Sequence, residues 1–287
     1  MSNKIDILTL ILLFLGLPSF SHGWGVDGHL ITCQIAQNLL TESAANAVKQ
    51  LLPTFADDDL SSLCSWADKV KFKYPWSSPL HYIDTPDHLC NYNYDRDCKN
   101  ENGDKGMCVS GAINNYTNQL LAYGSSFSSA YNLTESLLFL SHFIGDIHQP
   151  LHVGFTSDKG GNAIDVHWYT KKEVLHHVWD DDIIETAEER FYNSDVEQFV
   201  NAIRQNISGS WSDQVEKWQK CSYNKTSCPD VYATESITAA CQWAYRNATE
   251  GSVLDDDYFL SRLPVVNLRL AEGGVRLAAT LNRIFRQ

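Results

Sequence analysis

His142-Phe143-Ile144-Gly145-Asp146-Ile147-His148-Gln149-Pro150-Leu151-His152 is where a helical pattern meets a cluster of chemically able side chains. Leu137, Leu138, Phe143, Ile144 and Ile147 give the apolar face of a helix that Thr134 is placed to cap and Pro150 to end. His142 and Asp146 stand four apart, so both project from one face. His152 follows the turn at Pro150, which can bring a third group alongside. Imidazole and carboxylate are the nitrogen and oxygen ligands that suit zinc where thiolates are absent. By itself the stretch could equally be a capped helix end with ordinary polar contacts.

Working outward, Leu175-His176-His177-Val178-Trp179-Asp180 repeats the spacing: His176 and Asp180 are again four apart. His177 would point about 100° away, which makes His176 the better ligand. The run Asp180-Asp181-Asp182 also reads as a solvated acidic face. Asp68 lies on an otherwise apolar helical pattern, with Lys71 one turn later on nearly the same side. His81 sits in the short segment Leu80-His81-Tyr82-Ile83-Asp84. An isolated Asp or His of this kind is more often a hydrogen-bonded structural residue.

The rest of the chain reads as mainly α. Leu30, Ile31, Ile35, Ala36, Leu39 and Leu40 form a helical stripe after Gly28; Thr41 caps a second helix that Pro53 stops. Leu60, Leu63, Ala67 and Val70 predict a helix over 59–72, and further helices are expected over 109–122 and 263–285. Between 162 and 169, Ile164, Val166 and Trp168 alternate with polar residues after Gly160-Gly161, the mark of a short extended or hairpin segment. The expectation is a single helical domain with little sheet.

Residues 1–23 have the form of a secretory signal: Lys4, an apolar run from Ile7 to Leu17 too short to span a bilayer, then Ser21-His22-Gly23 before Trp24. Cleavage there would leave 24–287 as one domain, its extreme C-terminus open to trimming. Trp24 would then carry a free α-amino group, itself a competent metal ligand, close to His29. Cys33, Cys64, Cys90, Cys98, Cys108, Cys221, Cys228 and Cys241 all follow the signal, an even number that suits an oxidising compartment, with the pairing left open. Asn115, Asn132, Asn206, Asn224 and Asn247 open Asn-x-Ser/Thr sequons, as in a glycoprotein. The formal charge of −13 argues against a nucleic-acid partner, unless divalent ions fill an acidic site. Acid would also relieve repulsion of a polyanion by charging His88, His148, His167 and His177, none of them a candidate ligand.

In order along the chain, Trp24-Gly25-x-x-Gly28-His29, Trp66-Ala67-Asp68, His81-Tyr82, His142-x3-Asp146-x5-His152, Gly160-Gly161-Asn162, His176-x-Val178-Trp179-Asp180 and Gly274-Val275-Arg276-Leu277-Ala278 resemble the plant bifunctional (type I) nucleases. These are relatives of the single-strand-specific nucleases of moulds and more distant kin of zinc phospholipases C. The likeness covers the whole chain after residue 23 and implies that helical fold. It also implies three Zn²⁺: one on Asp68, His81, His142 and Asp146; one on the Trp24 amine and carbonyl, His29 and Asp146; one on His152, His176 and Asp180. Asp68, Lys71 and Asp146 would be catalytic, and Tyr82 and Asp84 would bind a base.

The resemblance further implies disulfides Cys33–Cys64, Cys90–Cys241, Cys98–Cys108 and Cys221–Cys228. Val174 departs from the family, which has Asn there, and puts a hydrogen bond beside His176 in doubt. The implied activity is hydrolysis of RNA and single-stranded DNA to 5′-phosphate products, with 3′-nucleotidase activity. The implied enzyme is a monomer of the secretory pathway, apoplastic or vacuolar, with no membrane and no stable protein partner. A phospholipase C and a non-catalytic, metal-stabilised glycoprotein are the competing readings. No basic amphipathic segment supports the first, and the presence of every expected ligand and Lys71 argues against the second.

Overall fold

The computed structural model describes residues 24–126 and 128–286; residues 1–23, read from the sequence as a signal, lie outside the described residues. Helices α1 (Val26–Gln37) and α2 (Glu42–Leu51) follow the sequence pattern, and the Thr41 side chain accepts from the Ala44 N–H to cap α2. The helix expected over 59–72 is broken instead. A single 3₁₀ turn spans Ser61–Leu63, and α3 is only Trp66–Lys69. The Asp59 carboxylate takes both the N–H and the hydroxyl of Ser61, and Cys64 is tied to Cys33, so this stretch is pinned into separate turns.

After the short α4 (Tyr94–Asp97), α5 (Val109–Leu120) packs on α6 (Leu133–Asp146), whose residues 136–146 are all buried. Asn132, not Thr134, caps α6, accepting from the Glu135 N–H. The helix stops at Asp146, and Pro150 opens a 3₁₀ turn (Pro150–Val153), the place in a helical turn where its missing N–H costs nothing.

The extended segment is strand β1 (Asp165–Trp168), paired antiparallel with β2 (Lys171–Val174) and parallel with β3 (Val253–Leu254). Val166 and Trp168 point into the core as the alternation predicts. Helix α7 (Leu175–His177) runs through a π turn (Val178–Asp182) into α8 (Ile183–Phe191). Then come α9 (Val196–Ser208), α10 (Ser212–Gln219), α11 (Pro229–Ala239) and α12 (Asp256–Ile284). α12 begins seven residues before the sequence expectation, because Asp255 caps it and Pro264 falls within it without ending it.

The core is one cluster around α6, with α1, α5 and α12 against it. Four disulfides are present, Cys33–Cys64, Cys90–Cys241, Cys98–Cys108 and Cys221–Cys228. Among the described residues no helix is long and apolar enough to cross a membrane. Asn115, Asn132 and Asn247 are exposed and Asn206 is half-buried.

Glu188 on α8 is an electrostatic liability of this packing. Its Oε1 is buried without a hydrogen-bond partner among the described residues, and burial, with Asp27, Glu185 and Asp195 adding repulsion, pushes its pKa up to about 7 from 4.5. Between those values the folded chain binds the proton more tightly than the unfolded one, so this group's contribution falls as pH rises from 4.5 through 7. Glu188→Gln is therefore expected to raise stability at pH 8 by roughly 1–3 kcal/mol and to leave it unchanged below pH 4.5. Paired thermal melts at the two pH values check this; an equal shift at both would mean that charge burial is not the cause.

Candidate metal centre

Helix α6 delivers His142 and Asp146 to the middle of the domain, where neither has measurable exposure. Asp146 stands at the junction. Its Oδ1 lies 3.2 Å from His29 Nε2, and its Oδ2 lies 2.9 Å from His81 Nδ1 and 3.1 Å from His142 Nε2. Asp68, carried by α3, places Oδ1 3.5 Å from His142 Nε2, 3.6 Å from His81 Nδ1 and 2.8 Å from Lys71 Nζ. On the other side of Asp146, His176 Nε2 is 3.3 Å from Asp180 Oδ2, and His152 Nε2 is 3.9 Å from Asp180 Oδ1.

Three sets have donor atoms close enough to share an ion: His29–His142–Asp146, Asp68–His81–His142 and His152–His176–Asp180. His142 belongs to two of them, stacked on His29 with ring centroids 3.9 Å apart.

The imidazoles are aimed by the backbone. Nδ1 of His142 donates to the Cys64 carbonyl (2.8 Å), that of His152 to the His81 carbonyl (2.7 Å), and that of His176 to the Gly160 carbonyl (2.6 Å). Each leaves Nε2 facing inward, the arrangement that fixes tautomer and direction in metal sites. The Gly160 carbonyl supplies His176's bond, so Val174 does not deprive that ring of an anchor. Gly160 has φ +63°, and a Cβ there would lie 2.3 Å from the Leu151 carbonyl oxygen.

Gly145 is as constrained: a Cβ would come within 2.7 Å of His29 Nδ1, so only glycine lets α1 approach α6 this closely. Gln149 is a further buried contributor absent from the sequence expectations. Its amide donates to Asp180 Oδ1 while its Oε1 accepts from the Leu151 N–H. Lying three residues from both Asp146 and His152 was its only visible signal.

Burial holds these imidazoles neutral. The His29 pKa is pushed down to about 4 by burial and then His142, and that of His81 to about 3 by burial and then Lys71. His152 and His176 are lowered chiefly by burial. His142 is the exception: burial opposes its charge, but Asp146 and Asp68 outweigh it and raise the pKa to about 10. Burial likewise opposes the charge of Asp68 and Asp146, and His142 outweighs it, so both stay well below the usual carboxylate range. Burial, then Asp181, raises Asp180. Neutral imidazoles and ionised carboxylates are the forms a cation needs. Inward-facing His29 Nε2, Asp146 Oδ1 and Asp180 Oδ2 are buried and make no hydrogen bond among the described residues. Such atoms are costly unless an ion satisfies them. The donor set fits divalent metals.

Trp24 is fully buried, and the Gly25 N–H beside it donates to the Asp180 carbonyl (2.9 Å). Tyr82 and Asp84, both half-buried, line a cleft of about 300 Å³ with Glu101, Lys159, Asn162 and His176. Burial, with Glu101 and Asp158, pushes Asp84 up to about 6, and burial pushes Tyr82 up to about 12. His148 corrects one expectation. It is buried, its Nδ1 donates to the Ile144 carbonyl, and its Nε2 accepts from Arg276 (2.9 Å). Burial and the Arg269 and Arg276 charges hold its pKa well below 6.5, so mild acid does not charge it.

A helical domain that turns five histidines and three aspartates onto one buried centre has the form of a metal-dependent hydrolase. The family model described as S1/P1 Nuclease matches residues 24–286, and the chain belongs to that family: it is a nuclease, a metal-dependent enzyme acting on nucleic acid. It is 63% identical over 281 residues to Endonuclease 2 of Arabidopsis thaliana, covering 97% of this chain and 96% of that protein. Identity to Endonuclease 4 of the same plant is 55% over 266 residues, covering 91% and 89%. Nuclease S1 of Aspergillus oryzae is 33% identical over 287 residues, covering 95% and 96%. A phospholipase and a non-catalytic glycoprotein are thereby set aside.

Proposed function

We propose that this chain is a secreted zinc endonuclease that hydrolyses RNA and single-stranded DNA to 5′-phosphate products and also removes the 3′-phosphate of mononucleotides. The observation that carries the reading is the set of buried, inward-facing ligand atoms around Asp146, among them His29 Nε2 and Asp146 Oδ1, that make no hydrogen bond among the described residues. Three Zn²⁺ would be held by Asp68, His81, His142 and Asp146; by the Trp24 amine and carbonyl, His29 and Asp146; and by His152, His176 and Asp180. Nitrogen and oxygen donors without thiolate suit zinc, because all eight cysteines are in disulfides. When bound, the ions supply Lewis-acid charge to the phosphate oxygens and acidify a water that attacks phosphorus.

The chain's own residues do the rest. Lys71, held 2.8 Å from Asp68, brings a buried positive charge to the side of the cluster where charge accumulates on the phosphorane. The attacking oxygen bonds to phosphorus as the P–O3′ bond breaks, which leaves the phosphate on the 5′ side and a 3′-hydroxyl on the departing strand. Tyr82 stacks on a base, and Asp84 hydrogen-bonds its edge. The cleft they form admits a base only after it leaves a duplex stack, so single strands are preferred.

Disulfides and exposed sequons support passage through the secretory pathway to the apoplast or vacuole, as a monomeric glycoprotein. The test is zinc content and turnover of protein beginning at Trp24. The expected result is three zinc ions per chain, faster cleavage of single than of double strands, and 5′-phosphate ends. Full activity with fewer ions, or 3′-phosphate ends, would overturn the proposal.

A further inference from the structure

Immediately after Asp68 the chain reads Lys69-Val70-Lys71-Phe72-Lys73-Tyr74-Pro75-Trp76, cations alternating with apolar and aromatic residues. In a chain of net charge −13, residues 68–73 carry a local net charge of +2. Phe72 exposes 79% of its surface and Trp76 50%, and Lys69 and Lys73 are exposed beside them. The segment is compact: the Tyr74 N–H donates to the Val70 carbonyl (2.8 Å) and the Ser77 hydroxyl to the Tyr74 carbonyl (2.7 Å). The Trp76 ring rests on Tyr74 and Phe139 at centroid distances of 5.6 and 5.8 Å, and Trp66 braces both from 6.4 and 5.1 Å. The Tyr74 hydroxyl engages the nearby Glu135 at 3.0 Å.

We propose that Lys69–Trp76 is a binding platform for the part of a single-stranded polynucleotide that flanks the bond being cut. Phe72 and Trp76 stack on bases, and Lys69 and Lys73 contact phosphates. Exposed aromatics interleaved with cations are what sequence-tolerant single-strand binding requires, since every base has a π-face and every linkage a charge. Continuity places the platform where a strand must pass. Phe72 adjoins Lys71, and Trp76 lies five residues on, within roughly 18 Å of chain reach. The inference rests on the nuclease activity and on the centre at Asp68, and it adds a surface separate from the Tyr82–Asp84 cleft.

The experiment compares a single-stranded 20-mer of deoxyadenylate with bis(p-nitrophenyl) phosphate, a phosphodiester without bases, on the zinc-loaded enzyme. Phe72→Ala with Trp76→Ala is expected to raise KM for the 20-mer about tenfold or more while leaving both constants for the baseless diester unchanged. Lys69→Ala with Lys73→Ala should flatten the salt dependence of log(kcat/KM) for the 20-mer by about 1.4, with the same indifference toward the small diester. Phe55→Ala, an equally exposed aromatic beside Asp57 and Asp58, should change neither substrate. Unchanged KM and salt slope in both variants would overturn the proposal, and so would equal losses on both substrates. If the aromatic variant does not fold, the exposed lysines decide alone.

Discussion

Asp146→Ala is expected to cost at least one zinc ion and to lower kcat by roughly 10³-fold or more, whereas Lys71→Ala keeps every ion and loses rate alone. The two differ because of what each touches. Asp146 presents one oxygen to His29 and the other to His81 and His142, from a position with no exposure at all. Its removal takes the shared carboxylate from two of the three proposed zinc sites, and a loss of several kcal/mol of charge stabilisation converts to the rate figure above. Lys71 reaches the cluster through its ion pair with Asp68. Its charge matters most when negative charge has built up on phosphorus, so Lys71→Ala should depress kcat by about 10²–10³-fold with KM nearly unchanged. Metal analysis beside steady-state kinetics separates the two roles. Full zinc content in Asp146→Ala would sink the bridging assignment, and an intact kcat in Lys71→Ala would sink the electrostatic one.

The parts of the molecule legible in its sequence are those in which local pattern and tertiary demand agree. Thr41 before Glu42 announces a cap and α2 begins there; Val166 and Trp168 alternate and β1 buries them. His176 is distinguished from His177 by the 100° helical step alone, and the fold buries the first and leaves the second half-exposed against Glu173. Legibility fails where side chains compete with the backbone. Leu60, Leu63, Ala67 and Val70 keep helical spacing, yet Asp59 and the Cys33–Cys64 tether divert the chain into separate turns. It fails again where the partner is remote. The carbonyls of Cys64, His81 and Gly160 hold His142, His152 and His176 from sequence distances of 78, 71 and 16 residues, and no local spacing encodes a backbone carbonyl.

With the Trp24 amine as a proposed ligand of one ion, a residue added before Trp24 is expected to remove one zinc ion and most of the activity. The Trp24 side chain is completely buried, and the Gly25 N–H is bound to the carbonyl of Asp180, itself a proposed ligand. A Cβ on Gly25 would lie 1.5 Å from Asp181 Oδ1, and one on Gly28 would lie 2.7 Å from Trp24 Cβ. Trp24 is thus gripped on both sides and cannot swing aside to make room. A free terminal amine has a pKa near ~8 and offers a lone pair once deprotonated, whereas an amide nitrogen in the same place has none to give. The remaining ligands of that ion, His29 and Asp146, would hold it weakly. Comparison of protein beginning at Trp24 with the same chain preceded by a cleavable extension provides the test. Two ions and little turnover before cleavage, then three ions and full turnover after it, are expected. An extended chain that already holds three ions and works at full rate would show that the Trp24 amine is not a ligand.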